Sequence, residues 1–252
     1  MPNHESEAII LRTYPLGEAD RLVSFFTRSM GRVRGVASGA RKTKSKFGST
    51  LERLSYIKVW FYEKENRELV RLNQCDLIES FMGAFSDYAA GVALAVLSEV
   101  TETVLPDHEA ADANFRLLLL VARAIKTTRK YEIPLAYFTM WTVKLGGWLP
   151  SLDACARCGK WLSSDPAEPG CAYFSPTQSA IACENCRKPG MRTISPAALA
   201  AARKILSEKL EKISEEMIPA RVARDVTNVM LDLIEHQIDR KLTSRELLES
   251  PE

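Results

Sequence analysis

The sequence predicts an α+β chain in which a small five-stranded barrel is followed by helices, with a cysteine-bearing insertion between two of them. Three observations carry this reading. The first 79 residues hold short β-rich runs broken by turn residues, the pattern changes to helical spacing near Ser80, and two Cys-x-x-Cys pairs lie in a stretch with no clear period. A chain of 252 residues with 46% hydrophobic side chains can bury a substantial core.

The barrel strands are expected at Glu7 to Tyr14, Leu22 to Thr27, Arg32 to Ala37, Leu54 to Tyr62 and Leu69 to Ile78. Pro15-Leu16-Gly17, Met30-Gly31 and a charged turn from Glu63 to Glu68 separate some of them. In the fourth, period-2 alternation puts Ile57, Val59 and Phe61 on one face and Tyr56, Lys58, Trp60 and Tyr62 on the other.

Helical spacing of three and four links Phe81, Phe85, Tyr88, Val92, Val96 and Val100, and Pro106 closes that segment. Further helices are expected from Ala111 to Lys130 and from Pro134 to the Gly146-Gly147 break. Ser195-Pro196, an N-cap followed by proline at the first helical position, opens another that runs to about Ser214. Val222, Val226, Met230, Leu233 and Ile238 mark the last. Amphipathic helices of this kind bury their stripes against one another as a bundle. The domain boundaries expected are 1–79 for the barrel, 80–149 with 190–245 for the helical domain, and 150–189 for the insertion.

The insertion has no core of its own. Cys155-Ala-Arg-Cys158 and Cys183-Glu-Asn-Cys186 are knuckles that can each present two thiolates to one tetrahedral ion, and Zn²⁺ prefers that arrangement. Four thiolates close the shell and leave no open position, so the expected cofactor is one structural Zn²⁺ held by Cys155, Cys158, Cys183 and Cys186. Disulfides, or a relic without metal, are the competing readings. Cys171 is a spare thiol between the knuckles, and Cys75 reads as core.

Charge is segregated. Arg28 to Lys58 contains nine basic residues and the single carboxylate Glu52, a local net of +8, which leaves −6 for the remainder of a +2 chain. Such a field steers a polyanion to one face. Its centre, GARKTKSKFGSTLERL, joins strands three and four, and its Gly, Thr and Ser content suggests a flexible, solvated loop. The nucleic-acid-binding residues expected are Arg34, Arg41, Lys42, Lys44, Lys46, Lys58 and Trp60, with the aromatic strand face as a stacking platform.

Several classes are disfavoured. The polar N-terminus does not read as a secretory signal, and the longest apolar run, Tyr88 to Leu97, is about half of what crosses a bilayer. The cysteine usage fits a reducing cytoplasm. There is no phosphate-binding G-x-x-x-x-G-K-[ST] loop, and His4, His108 and His236 are scattered. No enzyme is expected. An RNA-binding module with the same barrel, a zinc hydrolase or thiol oxidoreductase, and a zinc-stabilised scaffold remain as alternatives.

The chain also resembles the RecO family of bacterial recombination mediators over nearly its full length. The resemblance is carried by YPLGEADRLVSFFT (Tyr14 to Thr27), by Gly31 to Leu51 with its GARKTKSKFGSTL core, by LGGWLPSLDACARCGK (Leu145 to Lys160) and by FSPTQSAIACENC (Phe174 to Cys186). It implies an OB-fold barrel, an all-helical C-terminal domain and a zinc-finger-like insertion with four cysteine ligands. It further implies binding of single- and double-stranded DNA, annealing of complementary strands, and work with RecR. Help in loading RecA onto strands covered by single-strand binding protein is implied as well. Gly39, Arg41, Lys42, Lys44 and Lys46 match the basic motif, and the four knuckle cysteines match the ligands. Arg123, Lys126, Arg129 and Lys130 offer charges for the acidic tail of single-strand binding protein. Family members often carry a Gly-Gly turn before the second knuckle, where this chain has Gln178-Ser179-Ala180.

Overall fold

The computed structural model describes residues 3–63, 68–164 and 172–249. Most of the charged turn expected at Glu63 to Glu68, and the spare Cys171, lie outside the described residues. Two compact units are present, Met1–Arg129 with Leu242–Glu252, and Lys130–Lys241.

In the first unit, β1 (Asn3–Leu16), β2 (Asp20–Thr27), β3 (Gly31–Ala37), β4 (Tyr56–Tyr62) and β5 (Val70–Glu79) form a closed barrel in the order β1-β2-β3-β5-β4. β1 is long because it pairs with β2 on one side and β4 on the other, and a register shift between Ile10 and Arg12 bends it around the barrel. The alternation read in β4 holds: Ile57, Val59 and Phe61 are fully buried, in one core with Ala8, Ile10, Val23, Phe25 and Val33. Closure depends on Gly35. A Cβ there would lie 2.5 Å from a Leu72 methyl and 2.9 Å from the Val70 carbonyl, and among the described residues β3 pairs with β5 at Gly35 and Val36.

The basic loop between β3 and β4 corrects the expectation of a flexible, solvated segment. It is a chain of tight turns, with Lys42 N bonded to Gly39 O, Ser45 N to Lys42 O and Thr50 N to Phe47 O. Phe47 and Leu51 join the barrel core at 1% exposure. Each buried side chain of this size contributes about 1.5–3 kcal/mol, which is what holds a polar loop in one shape.

Helix α1 (Tyr88–Val104) opens on Asp87, whose carboxylate accepts from Ala90 N at 2.9 Å, and Ser98 on it donates to the Leu11 carbonyl at the β1 irregularity. Helix α2 (Asp112–Thr128) covers the outer barrel wall: Phe115 packs on Phe26 of β2 and Tyr56 of β4.

The second unit contains α3 (Glu132–Leu145), then a three-stranded sheet of β6 (Ala172–Ser175), β7 (Ala180–Ala182) and β8 (Arg192–Ile194) in the order β7-β6-β8. Next come α4 (Pro196–Ser207) and α5 (Ala220–Gln237). Ser195 caps α4 as read, by accepting from Ala198 N, but the helix ends at Ser207 instead of near Ser214, and a short turn at Leu210–Lys212 follows. A last helix, α6 (Thr243–Glu249), belongs to the first unit and has no counterpart in the sequence reading.

Candidate nucleic-acid interface and metal centre

The segregated charge of Arg28 to Lys58 divides into two populations. Arg28 bonds Glu7 at 3.0 Å and Asp112 at 2.9 Å. Arg32 and Arg34 both bind Asp107, at 2.8 and 2.9 Å. Lys58 bonds Glu5 at 2.5 Å and lies 5.1 Å from the Trp60 ring centre, and Trp60 donates its indole N–H to the same Glu5 carboxylate at 2.8 Å. These hydrogen bonds, that from Lys58 first, hold the Glu5 carboxyl below its usual range.

The loop cations differ. Arg41 donates to the Gly17 carbonyl at 2.7 Å, and its own N–H bonds Ala19 O at 2.9 Å. Gly39 N bonds the Asp20 carboxylate at 2.7 Å. The loop is thereby fixed to the β1–β2 turn, so two of the sequence segments that carry the family resemblance touch. Lys42 and Lys44 are exposed, and Lys46 sits 5.2 Å over the Phe47 ring. Among the described residues, none of Arg41, Lys42, Lys44 and Lys46 has a carboxylate ion-pair partner.

The seven expected binding residues thus do not form one patch. Four share the loop, Lys58 and Trp60 are on β4 against Glu5 of the neighbouring β1, and Arg34 is on β3, which β5 separates from β4. The aromatic platform is also shorter than read: Tyr56 is 7% exposed beneath Phe115, with the Arg123 guanidinium 5.8 Å from its ring, while Trp60 and Tyr62 are half-buried. Sequence reasoning missed Glu5, Asp20, Phe47 and Leu51, because a partner across strands is visible only once the register is known. The α2 charges expected to meet an acidic tail are engaged as well. Arg123 and Lys126 bind Glu79, Arg129 bonds the Gly83 carbonyl and Lys130 binds Glu215.

In the second unit the four knuckle sulfurs converge. Their Sγ atoms lie within 4.8 Å of one another, and Cys158 and Cys183 are 3.7 Å apart. A disulfide holds sulfurs about 2 Å apart, whereas a tetrahedral ion with Zn–S bonds of about 2.3 Å sets them about 3.8 Å apart. The four cysteines can therefore hold a metal ion.

Local folding explains the convergence. Cys155 N bonds Lys160 O at 2.8 Å and Gly159 N bonds Cys155 O at 2.9 Å, with Gly159 at φ +73°, a turn that glycine takes without strain. The β6–β7 hairpin delivers the second knuckle, whose Cys186 N bonds Cys183 O at 3.0 Å. Burial works to raise the Cys155 thiol, but the amide N–H groups of Cys183, Cys158 and Arg157 outweigh it and bring it down to about 6. Cys186, hydrogen-bonded first to Cys158, then affected by burial, Cys183 and Cys155, is pushed up to about 12. Four sulfurs this close become anionic together only around a cation, which suits this donor set. Cys75 lies apart in the barrel core, where burial pushes it up to about 12.

The model for the recombination protein O N terminal domain matches residues 1–81, and that for the recombination protein O C terminal domain matches residues 86–246. The chain belongs to the RecO family. Relatives named DNA repair protein RecO include one from Koribacter versatilis, 35% identical over 97% of this chain and 98% of the relative. Another, from Streptomyces griseus, is 33% identical over 96% and 97%. One from Bifidobacterium longum is 31% identical over 99% and 100%. RecO homology supports a role in DNA repair. No helix among the described residues is long and apolar enough to cross a membrane.

Proposed function

We propose that this RecO-family chain binds single- and double-stranded DNA through barrel residues 1–79 and anneals complementary strands. With RecR, it helps to load RecA onto strands coated by single-strand binding protein. One observation carries the DNA-binding part: four cations, Arg41, Lys42, Lys44 and Lys46, stand on a loop anchored by Phe47 and Leu51 without carboxylate partners, while Arg28, Arg32, Arg34 and Lys58 are paired. Cations already committed to carboxylates give little to a phosphate, whereas these four have no carboxylate for a phosphate to displace.

Annealing by this route needs no nucleotide and no catalytic residue. The loop offsets the repulsion between two phosphate backbones and leaves bases free to pair. Arg34, Lys58 and Trp60 contribute in this reading only when DNA displaces Asp107 or Glu5. The helical segments 80–149 and 190–245 would serve partner proteins. Insertion 150–189 would be held by one Zn²⁺ on Cys155, Cys158, Cys183 and Cys186, at about 10–16 kcal/mol for such sites. The protein would act in the cytoplasm, on nucleoid DNA.

The test is annealing of complementary oligonucleotides without ATP. The intact protein should accelerate annealing over the spontaneous rate. The variant with Arg41, Lys42, Lys44 and Lys46 all changed to Ala should lose that acceleration, with metal content and circular dichroism unchanged. Equal annealing rates for the two proteins would remove the loop from the mechanism.

A further inference from the structure

The first knuckle carries a side chain that metal binding does not use. Trp161, three residues beyond Cys158, is 64% exposed, more than any other large apolar side chain described. It is nevertheless firmly placed. Ala154 and Trp161 form a β-bridge across the knuckle, flanked by the bonds Cys155 N to Lys160 O at 2.8 Å and Leu162 N to Asp153 O at 2.9 Å.

The indole is also backed. The Arg203 guanidinium lies 5.1 Å from the ring centre, and is itself held by the Leu152 and Leu162 carbonyls at 2.8 and 2.7 Å, by Ser164 at 2.9 Å and by Asp153 at 3.2 Å. A guanidinium held by three hydrogen bonds and an ion pair, beneath a mostly exposed indole, makes a fixed platform with most of its ring surface in water. Arg157 and Lys160, on the same turn, are exposed and have no carboxylate ion-pair partner among the described residues.

We propose that this knuckle is a second DNA contact, in which Trp161 stacks on one unpaired base while Arg157 and Lys160 meet the flanking phosphates. An open aromatic face stacks on any base, because every base has a π-face, and an ordered side chain loses little freedom on doing so. Exposed cations on the same turn as the ring match a base between two phosphates better than an apolar protein surface. The inference rests on the reading that the chain binds DNA, and places a separate contact on the unit that does not hold the barrel. Two contacts on one chain let it hold one strand by its backbone and another by its bases.

The test uses the full chain and a labelled thymidine oligonucleotide, with binding followed by anisotropy over a salt series. Trp161→Ala should weaken binding about fivefold or more, with an unchanged salt slope because no charge is removed. Trp161→Phe should recover most of the loss, and binding to a blunt duplex should not change, since its bases are already stacked. Metal content should match the unaltered protein in both variants. Unchanged affinity in Trp161→Ala, alongside a loss in the loop variant, would overturn this contact and leave the indole to a protein partner, with DNA binding by the barrel intact. Loss of metal in both variants with equal weakening would overturn it too, and an unaltered protein that ignores the oligonucleotide would overturn both readings.

Discussion

Ser179 carries the β6–β7 hairpin through a left-handed conformation, φ +43° and ψ +48°, at the position where the family resemblance expects glycine. A side chain there costs roughly 1–2 kcal/mol against glycine. Its compensation is one exposed bond from Gln237 Nε2 to Ser179 Oγ at 3.1 Å, of the kind that contributes little in water. Ser179→Gly should therefore raise the stability of the metal-loaded protein by about 1 kcal/mol, read as a higher midpoint in thermal unfolding. A lower midpoint would mean that the Gln237 bond outweighs the backbone strain. Residue-scale features divide sharply in how far sequence reveals them. Cysteine spacing announced the four-sulfur cluster, because convergence of that kind depends on residue type and local turns. Glu5 was invisible: it is an ordinary N-terminal carboxylate until the register sets it opposite Trp60 and beside Lys58.

At the scale of elements, α6 shows what periodicity cannot find. Seven residues are too few for a stripe, and a free helix of that length is not stable in water. It is held by Glu99 of α1, a buried carboxylate that accepts from Thr243 N at 3.1 Å, Ser244 N at 2.7 Å and Ser244 Oγ at 2.5 Å. Burial works to raise the Glu99 carboxyl, but these bonds outweigh it and hold it below its ordinary value of 4.5. A group depressed in the folded state contributes fully above its ordinary value and loses that contribution as pH falls through the folded value. The α6 tether should thus be intact at neutral pH and loosen in acid, below about 4.5. Glu99→Gln should weaken it by about 1–3 kcal/mol at neutral pH and remove the acid dependence. Amide hydrogen exchange at Thr243 and Ser244 reads both effects, and unchanged protection in Glu99→Gln would contradict the assignment. The basic loop taught the opposite lesson. Its composition read as solvated, yet Phe47 and Leu51, outside any strand or helix pattern, are core residues that fix its shape. The strands, whose alternation spans whole elements, were found to within a few residues.

Across the whole molecule, a +2 net charge hides a +8 segment, and folding sorts that segment further than counting can. Carboxylates distant in sequence, Glu5, Glu7, Asp107 and Asp112, neutralise Arg28, Arg32, Arg34 and Lys58, while Arg41, Lys42, Lys44 and Lys46 keep their charge for a ligand. The α+β class, the RecO family and the cluster of four cysteines that can hold a metal ion were legible because each is written in local pattern. Which cations are available was not, since that depends on pairing between elements. The central claim, that four unpaired loop cations bind DNA phosphates, predicts a number. If each neutralises one phosphate of a single strand, the slope of log K against log salt should be shallower by about 3 in the variant with Arg41, Lys42, Lys44 and Lys46 changed to Ala. Oligonucleotide titrations of both proteins from low to moderate salt measure that difference directly. A difference near 3 is the expected result; identical slopes would contradict the account.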